Sequence, residues 1–361
     1  MIPAEELESP AVVIDEERME RNLRAMQSTC DAHGVELWPH IKTHKLVPIL
    51  RRQLELGARG ATCAKLGEAE AMLPSGVRRI FIAHSLVDFA KAARLQKLAD
   101  QLDELILAVT SLPHFGVLER LLDSIDLSVP VLMAVNAGLE REGTRDLRHS
   151  VELAERIRRS PRMRLVGIYT HEGQTYSARD PAEVDSQVDE IHRLLGEHVA
   201  AIGGDVPLWP GCSVTAARFA AKSNVRAVRP GSYVFGDLSL SDGVKILPFT
   251  DNALSILATV VDRPENGLAL IDAGSKVFSG DKSRESLSGR CLEFPEILVR
   301  RVNEEHGYLA GPNVDRLELG DRLHFIPAHV CPVLNLAAQV AVVRGDRVVA
   351  QWPVDARGRS D

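Results

Sequence analysis

The run LWPHIKTHK, Leu37 to Lys45, is where the reading of the fold begins. It starts as a β-prone segment, breaks at Pro39, and then sets two histidines and two lysines where a strand would end. Similar short runs follow along the chain: GATCAK (60–65), RIFIAH (79–84), LILAV (105–109), PVLMAV (130–135), LVGIYTH (165–171), PLWPG (207–211) and AVRPGSYVF (227–235). Between them lie longer amphipathic stretches, such as LGEAEAML (66–73), DFAKAARLQKLADQL (88–102) and DPAEVDSQVDEIHRLLGEHVAAI (180–202), with apolar residues every three or four positions. Strands that each need a crossover helix to reach a parallel neighbour predict an α/β fold, a (β/α)8 barrel of the TIM type, over residues 16–240.

After about residue 245 the pattern changes to period-two, β-branched runs: ALSILATVVDR, GLALIDAG, EILVRRVNEEHGYL, RLHFIP and AAQVAVVRGDRVVAQWPV. PENG, GPN and RGDR punctuate them with turn chemistry, and no strong helix pattern interrupts. A mainly antiparallel β domain is expected over 241–361, joined by residues 1–15 through the strand-like AVVID. The chain shows no internal repeat and no low-complexity linker.

Composition narrows the function. The 361 residues are 45% hydrophobic and 26% charged, ordinary for globular domains. A net charge of −7 with no basic cluster argues against nucleic acid, because phosphate backbones demand concentrated Lys and Arg. No apolar run approaches a membrane span, and MIPAEELESP lacks the order of a signal peptide, so a soluble, cytoplasmic protein is expected. The five cysteines, at 30, 63, 212, 291 and 331, are odd in number and scattered, unlike a disulfide framework. Small-molecule chemistry is the remaining class.

A barrel's chemistry collects at the C-terminal ends of its strands. Lys42 closes the first. An amine in a partly apolar barrel mouth becomes nucleophilic and able to form a Schiff base, as pyridoxal 5'-phosphate chemistry requires. A phosphate needs backbone N–H groups and hydroxyls, and PGCSVTAARF offers Gly211, Ser213 and Thr215 where a helix begins. RPGSYVFGD adds Gly231 and Ser232 after the last strand, and barrels often bind phosphate after their last two strands.

In PAHVCPVLN, His329 and Cys331 are one residue apart. On an extended strand they would share a face and could share a metal. Thiolate plus imidazole favours zinc over magnesium; manganese or magnesium are the alternatives.

Taken in order, PHIKTHK, GATCAKLGEAEAM, GLEREG, RPGSYVFGD, IDAGSK, NEEHGYL and PAHVCPVLN resemble the fold-type III pyridoxal phosphate enzymes of the D-serine dehydratase and D-threonine aldolase group, over roughly residues 8–350. The resemblance implies an alanine-racemase-like barrel, a β domain and a homodimer whose subunits contribute to each other's sites. It implies that Lys42 carries the cofactor and that Ser213, Thr215, Gly231 and Ser232 hold the phosphate. Arg141 would contact the cofactor ring oxygen or the substrate carboxylate, Tyr169 and Tyr176 would approach the ring or substrate, and His329 and Cys331 would bind the metal. Trp38 and Asn136 depart from the family pattern, where arginine and an acidic residue are frequent.

The same resemblance implies a lyase acting on β-hydroxy D-amino acids such as D-serine, D-threonine or D-threo-3-hydroxyaspartate. A dehydratase would release a 2-oxo acid and ammonia, with Lys42 taking the α-proton. An aldolase would release glycine and an aldehyde. Family aldolases tend to carry aspartate where Cys331 stands, so the thiol favours elimination. A racemase, with Tyr233 as a second base, would leave the H-x-C pair idle. A non-catalytic carrier of the cofactor would not require the β domain. His40 is expected to pack beside the lysine, His44 and Lys45 to begin the next helix, and His306 to lie either near the site or on a surface turn.

Overall fold

In the computed structural model, which describes residues 2–265 and 267–361, the alternating pattern does become alternating strands and helices. Two strands precede the first long helix, β1 (Ile2–Pro3) and β2 (Ala11–Asp15). The parallel part then runs through β3 (Glu36–Leu37), β4 (Ala61–Cys63), β5 (Arg79–Ile82), β6 (Glu104–Val109), β7 (Val129–Ala134), β8 (Met163–Tyr169), β9 (Leu208–Trp209) and β10 (Ala227–Val228). Strands β4 to β9 form a six-stranded parallel sheet in chain order, and β10 pairs with β3 in a second, two-stranded one. Single parallel bridges span the two gaps, His40 to Thr62 and Leu208 to Val225. The closed ring expected from the sequence is therefore continuous ladder over six strands and isolated bridges at the seams, where proline at 39 and 210 removes backbone donors.

Helix boundaries follow local chemistry. Asp15 caps the helix Glu16–His33 by accepting from Arg18 N, and Gly34 ends it with a φ of 65°. Asp180 caps Pro181–Ile202 in the same way, with proline at the first position. The interior of the parallel layer is aromatic. Trp38, Phe81, Tyr169 and Trp209 are all buried there, with Trp38 edge-on to Trp209 at 5.0 Å.

The antiparallel domain contains β11 (Leu254–Glu265), β12 (Leu268–Ile271), β13 (Gly289–Cys291), β14 (Leu298–Val302), β15 (Gly307–Ala310), β16 (Arg322–Pro327), β17 (Gln339–Arg344) and β18 (Arg347–Pro353). Its sheet runs β1-β18-β17-β2-β11-β12-β15-β14-β13-β16, and β11 also pairs with β16, which closes six of these strands on themselves. AVVID is β2, antiparallel to β11 and parallel to β17, so it joins the antiparallel sheet as expected. In the PENG turn, Asn266 lies outside the described residues. Contrary to the expectation of uninterrupted strands, two short helices, Ser275–Phe278 and Val330–Leu336, break the pattern.

Those interruptions join the two parts. Arg284 donates to the carbonyls of Tyr176 and Ala178, Ser239 Oγ to that of Ala328, and Val330 N to Asp237 Oδ2. The antiparallel domain is thereby fixed over the C-terminal strand ends, enclosing a cavity of about 530 Å³.

Candidate active site

Lys42 reaches the cavity because the chain cannot continue as a strand. After Pro39 and the His40 bridge it turns tightly, with His44 N and Lys45 N both donating to Ile41 O, and Lys42 sits half-buried at the tip. Its neighbours turn inward. His44 is fully buried, and desolvation lowers its pKa to about 3, so the neutral ring accepts from Leu46 N through Nδ1. Lys45 is not the start of a helix but a buried cation with a φ of 55°, its Nζ 2.7 Å from Asn335 Oδ1 and 3.4 Å from Glu68 Oε1. The deeply buried positive charge of this stretch is thus Lys45, paired with a carboxylate. Lys42 has no carboxylate within 4 Å among the described residues and faces the cavity.

Opposite Lys42, two turns are tied into one cradle. Ser213 Oγ accepts from Gly231 N at 3.0 Å and from Tyr233 N at 3.3 Å. A Cβ on Gly231 would stand 2.5 Å from Thr43 Oγ1, and one on Gly211 would stand 2.4 Å from Arg229 Nη2, so neither position admits a side chain. Ser232 and Tyr176 also line the cavity, their hydroxyls 3.4 Å apart. Burial raises the Tyr176 pKa, keeping the phenol protonated. The helix that follows Thr215 has only five residues, so its dipole is weak and the cradle rests on hydroxyl and N–H groups.

Next to the cradle lie His171, which closes the LVGIYTH run, and two groups that the sequence did not single out, Glu172 and Arg229. Glu172 is fully buried; its Oε1 accepts from Gly211 N at 3.2 Å and its Oε2 from Thr215 Oγ1 at 3.0 Å. Desolvation pushes its pKa up to about 7, against the attraction of Arg229 and these hydrogen bonds. Arg229, also buried, donates to Trp209 O and Thr170 O and lies over the Phe81 and Tyr169 rings. His171 donates from Nδ1 to Gly211 O at 2.5 Å, which leaves its other ring nitrogen unprotonated in the neutral form. Burial and the Lys42 charge hold its pKa at about 3.

The other wall comes from the antiparallel domain. His329 and Cys331 both line the cavity, but not on the extended strand expected for them. Strand β16 ends at Pro327; His329 precedes the helix Val330–Leu336, and Cys331 lies in its first turn. His329 Nδ1 is 2.7 Å from Asp281 Oδ2, so Nε2 is the ring nitrogen that would coordinate a metal once its proton is lost. Burial opposes a charged His329, but Cys331, Asp237 and Asp281 outweigh it and raise its pKa to about 10. Cys331 is lowered in turn: burial opposes the thiolate, and His329, Lys42 and Thr43 overcome that. Cys331 Sγ lies 3.2 Å from Thr43 Oγ1, the residue beside Lys42. Among the described residues no cluster of three or more His, Cys, Asp or Glu side chains is arranged around a metal, so the pair brings two donors and open positions.

Three residues expected at the cofactor are engaged elsewhere. Thr215 turns its hydroxyl to Glu172 and is fully buried. Tyr169 points into the aromatic layer, its hydroxyl donating to Ala83 O at 3.2 Å. Arg141 is 54% exposed beside Glu142, in a recess that shares His171 with the cavity. Asn136 accepts from Gly138 N and Glu140 N, shaping the loop that carries Arg141, and Trp38 donates to Glu36 Oε2 inside the aromatic layer. His40 lines the cavity with a buried Nδ1 that lacks a protein partner. His306 is exposed on a surface turn.

These residues fit a phosphorylated aldehyde cofactor: one amine without a carboxylate partner, hydroxyls and close-packed glycines in the lining, and a buried ring nitrogen left unsatisfied in the same lining among the described residues. They also fit a divalent ion of borderline softness, through one thiol and one imidazole. Comparison with known proteins agrees. The alanine racemase N-terminal domain family matches residues 14–239, and the serine dehydratase domain family matches residues 253–343. A D-threonine aldolase of an Arthrobacter species is 32% identical over 99% of this chain and 95% of its own. The D-threo-3-hydroxyaspartate dehydratase of Delftia sp. (strain HT23) is 30% identical over 96% of this chain and 97% of its own. The crystal structure of the D-threonine aldolase from Filomicrobium marinum superposes with a TM-score of 0.92 at 28% identity, over 100% of this chain and 98% of that one. By fold, domain pairing and these relatives, the chain belongs to the fold-type III pyridoxal phosphate enzymes of the D-serine dehydratase and D-threonine aldolase group.

Proposed function

We propose that the chain is a pyridoxal phosphate- and divalent-metal-dependent lyase of β-hydroxy D-amino acids, acting foremost as a dehydratase that yields a 2-oxo acid and ammonia. The observation that carries this reading is that Lys42 and the His329–Cys331 pair line one cavity, joined by the Thr43 to Cys331 contact of 3.2 Å.

Bound through Lys42, pyridoxal phosphate supplies an electron-poor ring that stabilises negative charge at the substrate's α-carbon. The Ser213 and Ser232 hydroxyls, with the backbone at Gly231, would hold the phosphate. Thr215 serves through Glu172 rather than by direct contact, and Tyr169 by packing beneath Arg229. Lys42 Nζ would take the α-proton. Tyr176 and Arg141 orient the substrate, Arg141 from the neighbouring recess. A divalent ion held by His329 Nε2 and Cys331 Sγ, zinc on softness grounds, would supply Lewis acidity to the β-hydroxyl.

We read β3 to β10 as one barrel closed through its two bridged seams, over residues 16–240, with 241–361 and 1–15 as the second domain. A homodimer is the assembly that the family resemblance implies. Five unpaired cysteines suit a reducing cytoplasm.

The named relatives include an aldolase and a dehydratase, so retro-aldol cleavage to glycine and an aldehyde is the second reading. Incubating the protein, cofactor and zinc with D-serine, D-threonine and D-threo-3-hydroxyaspartate separates them. Ammonia with a 2-oxo acid is the expected outcome; glycine with an aldehyde establishes the aldolase, and racemised amino acid alone defeats both.

A further inference from the structure

We propose that Glu172 is a positioning residue for the phosphate-binding turn: it clamps Gly211 and Thr215 from beneath, and so sets the selectivity of the cavity for a phosphorylated over an unphosphorylated pyridoxal. The inference rests on the reading of this cavity as a pyridoxal phosphate site.

An acid directly behind an anion cradle is unfavourable unless it does something there, since like charges repel and burial penalises the carboxylate. Glu172 is fully buried, and its two oxygens are spent on the two ends of one short segment, Gly211 N at 3.2 Å and Thr215 Oγ1 at 3.0 Å. Between those anchors stands Ser213, whose Oγ gathers Gly231 N and Tyr233 N from the next turn. His171 also holds the Gly211 carbonyl and the helix backbone holds the Thr215 and Cys212 carbonyls, but among the described side chains Glu172 alone bonds to both Gly211 and Thr215. Arg229, packed against Gly211, balances the buried charge, with no nitrogen within 4 Å of the Glu172 oxygens. The clamp thus acts on the segment whose Gly211 and Ser213 line the cavity, and among the described residues Glu172 makes no hydrogen bond to Lys42.

The test uses the full-length protein freed of cofactor and titrated with pyridoxal phosphate or with pyridoxal, following the visible band of the lysine-bound aldehyde. Glu172→Gln, which keeps only one acceptor, should weaken pyridoxal phosphate about tenfold and pyridoxal less than about twofold. Thr215→Val should shift the same way and Thr215→Ser should restore the wild-type ratio. Equal weakening of both ligands, or of neither, overturns the proposal. If Glu172→Gln does not fold, the two Thr215 variants decide by the same ratio. Wild type that develops no band with either ligand would instead refute the cofactor reading itself.

Discussion

On the barrel wall of the cavity Ser213 is 7% exposed and Thr215 and Glu172 are 0% exposed, each held by hydrogen bonds from more than one direction. On the facing wall the side chains of His329 and Asp281 keep 42% and 53% of their surface and hydrogen-bond each other. One wall is finished before anything binds; the other holds two donors in place and leaves the remaining positions open. The difference matches two tasks. A cofactor retained through many turnovers gains from a preorganised cradle, whereas a metal that must also take a substrate hydroxyl needs vacant coordination.

Exchanging residues between the walls should therefore have separable effects. The largest is expected at Lys42. Lys42→Ala should remove the visible band of bound pyridoxal phosphate and lower turnover by about 10²–10⁴-fold or more, the range for a lost proton-transfer group. Cys331→Ala sharpens the contrast. It should leave the band intact while turnover falls at least about 100-fold and metal content drops by elemental analysis, a loss at or beyond that of a supporting partner. A vanished band in Cys331→Ala would break the comparison.

Asp281→Ala should act more mildly, weakening metal affinity about 10–100-fold by freeing the His329 ring, with excess zinc restoring activity. Titrated zinc dependence measures this.

The smallest effect concerns stability and pH. Burial raises the Glu172 pKa from its ordinary 4.5 to about 7, so the folded protein holds this proton more tightly than the unfolded chain. Its contribution is fully present below about pH 4.5 and is lost as pH rises through about 7. Arg229, Thr215 and the Gly211 amide face this carboxyl, and none of them changes charge in that window. Melting curves of Glu172→Gln should lose this share of the decline between those pH values; an unchanged slope would mean that Glu172 stays ionised.

The parts of this arrangement that rest on local signals were legible in the sequence. RLHFIP is β16 to the residue, and the helix within DPAEVDSQVDEIHRLLGEHVAAI begins behind its Asp-Pro cap, because period and capping are encoded within a few residues. Lys42, Ser213, Gly231, Ser232, Tyr176, His329 and Cys331 are all brought to one cavity. What escaped depends on distant partners. Glu172 meets groups 39 and 43 residues further on, and Lys45 meets Glu68 and Asn335; nothing near either residue announces the pairing. The β-branched, Cys-containing AHVCPVL looks like a strand, although Pro332 is in a position that the first turn of a helix tolerates. Thr215 was drawn away from the cradle by the same unseen carboxylate.

Cofactor and metal would thus occupy separate walls and serve one reaction. The direct test is to treat the cofactor-loaded protein with a metal chelator and follow, in one sample, the visible band and ammonia release from D-threo-3-hydroxyaspartate. The band is expected to stay while ammonia release stops, and zinc to restore the release. Ammonia released at an undiminished rate in the chelator, or a band lost together with the activity, would contradict this arrangement.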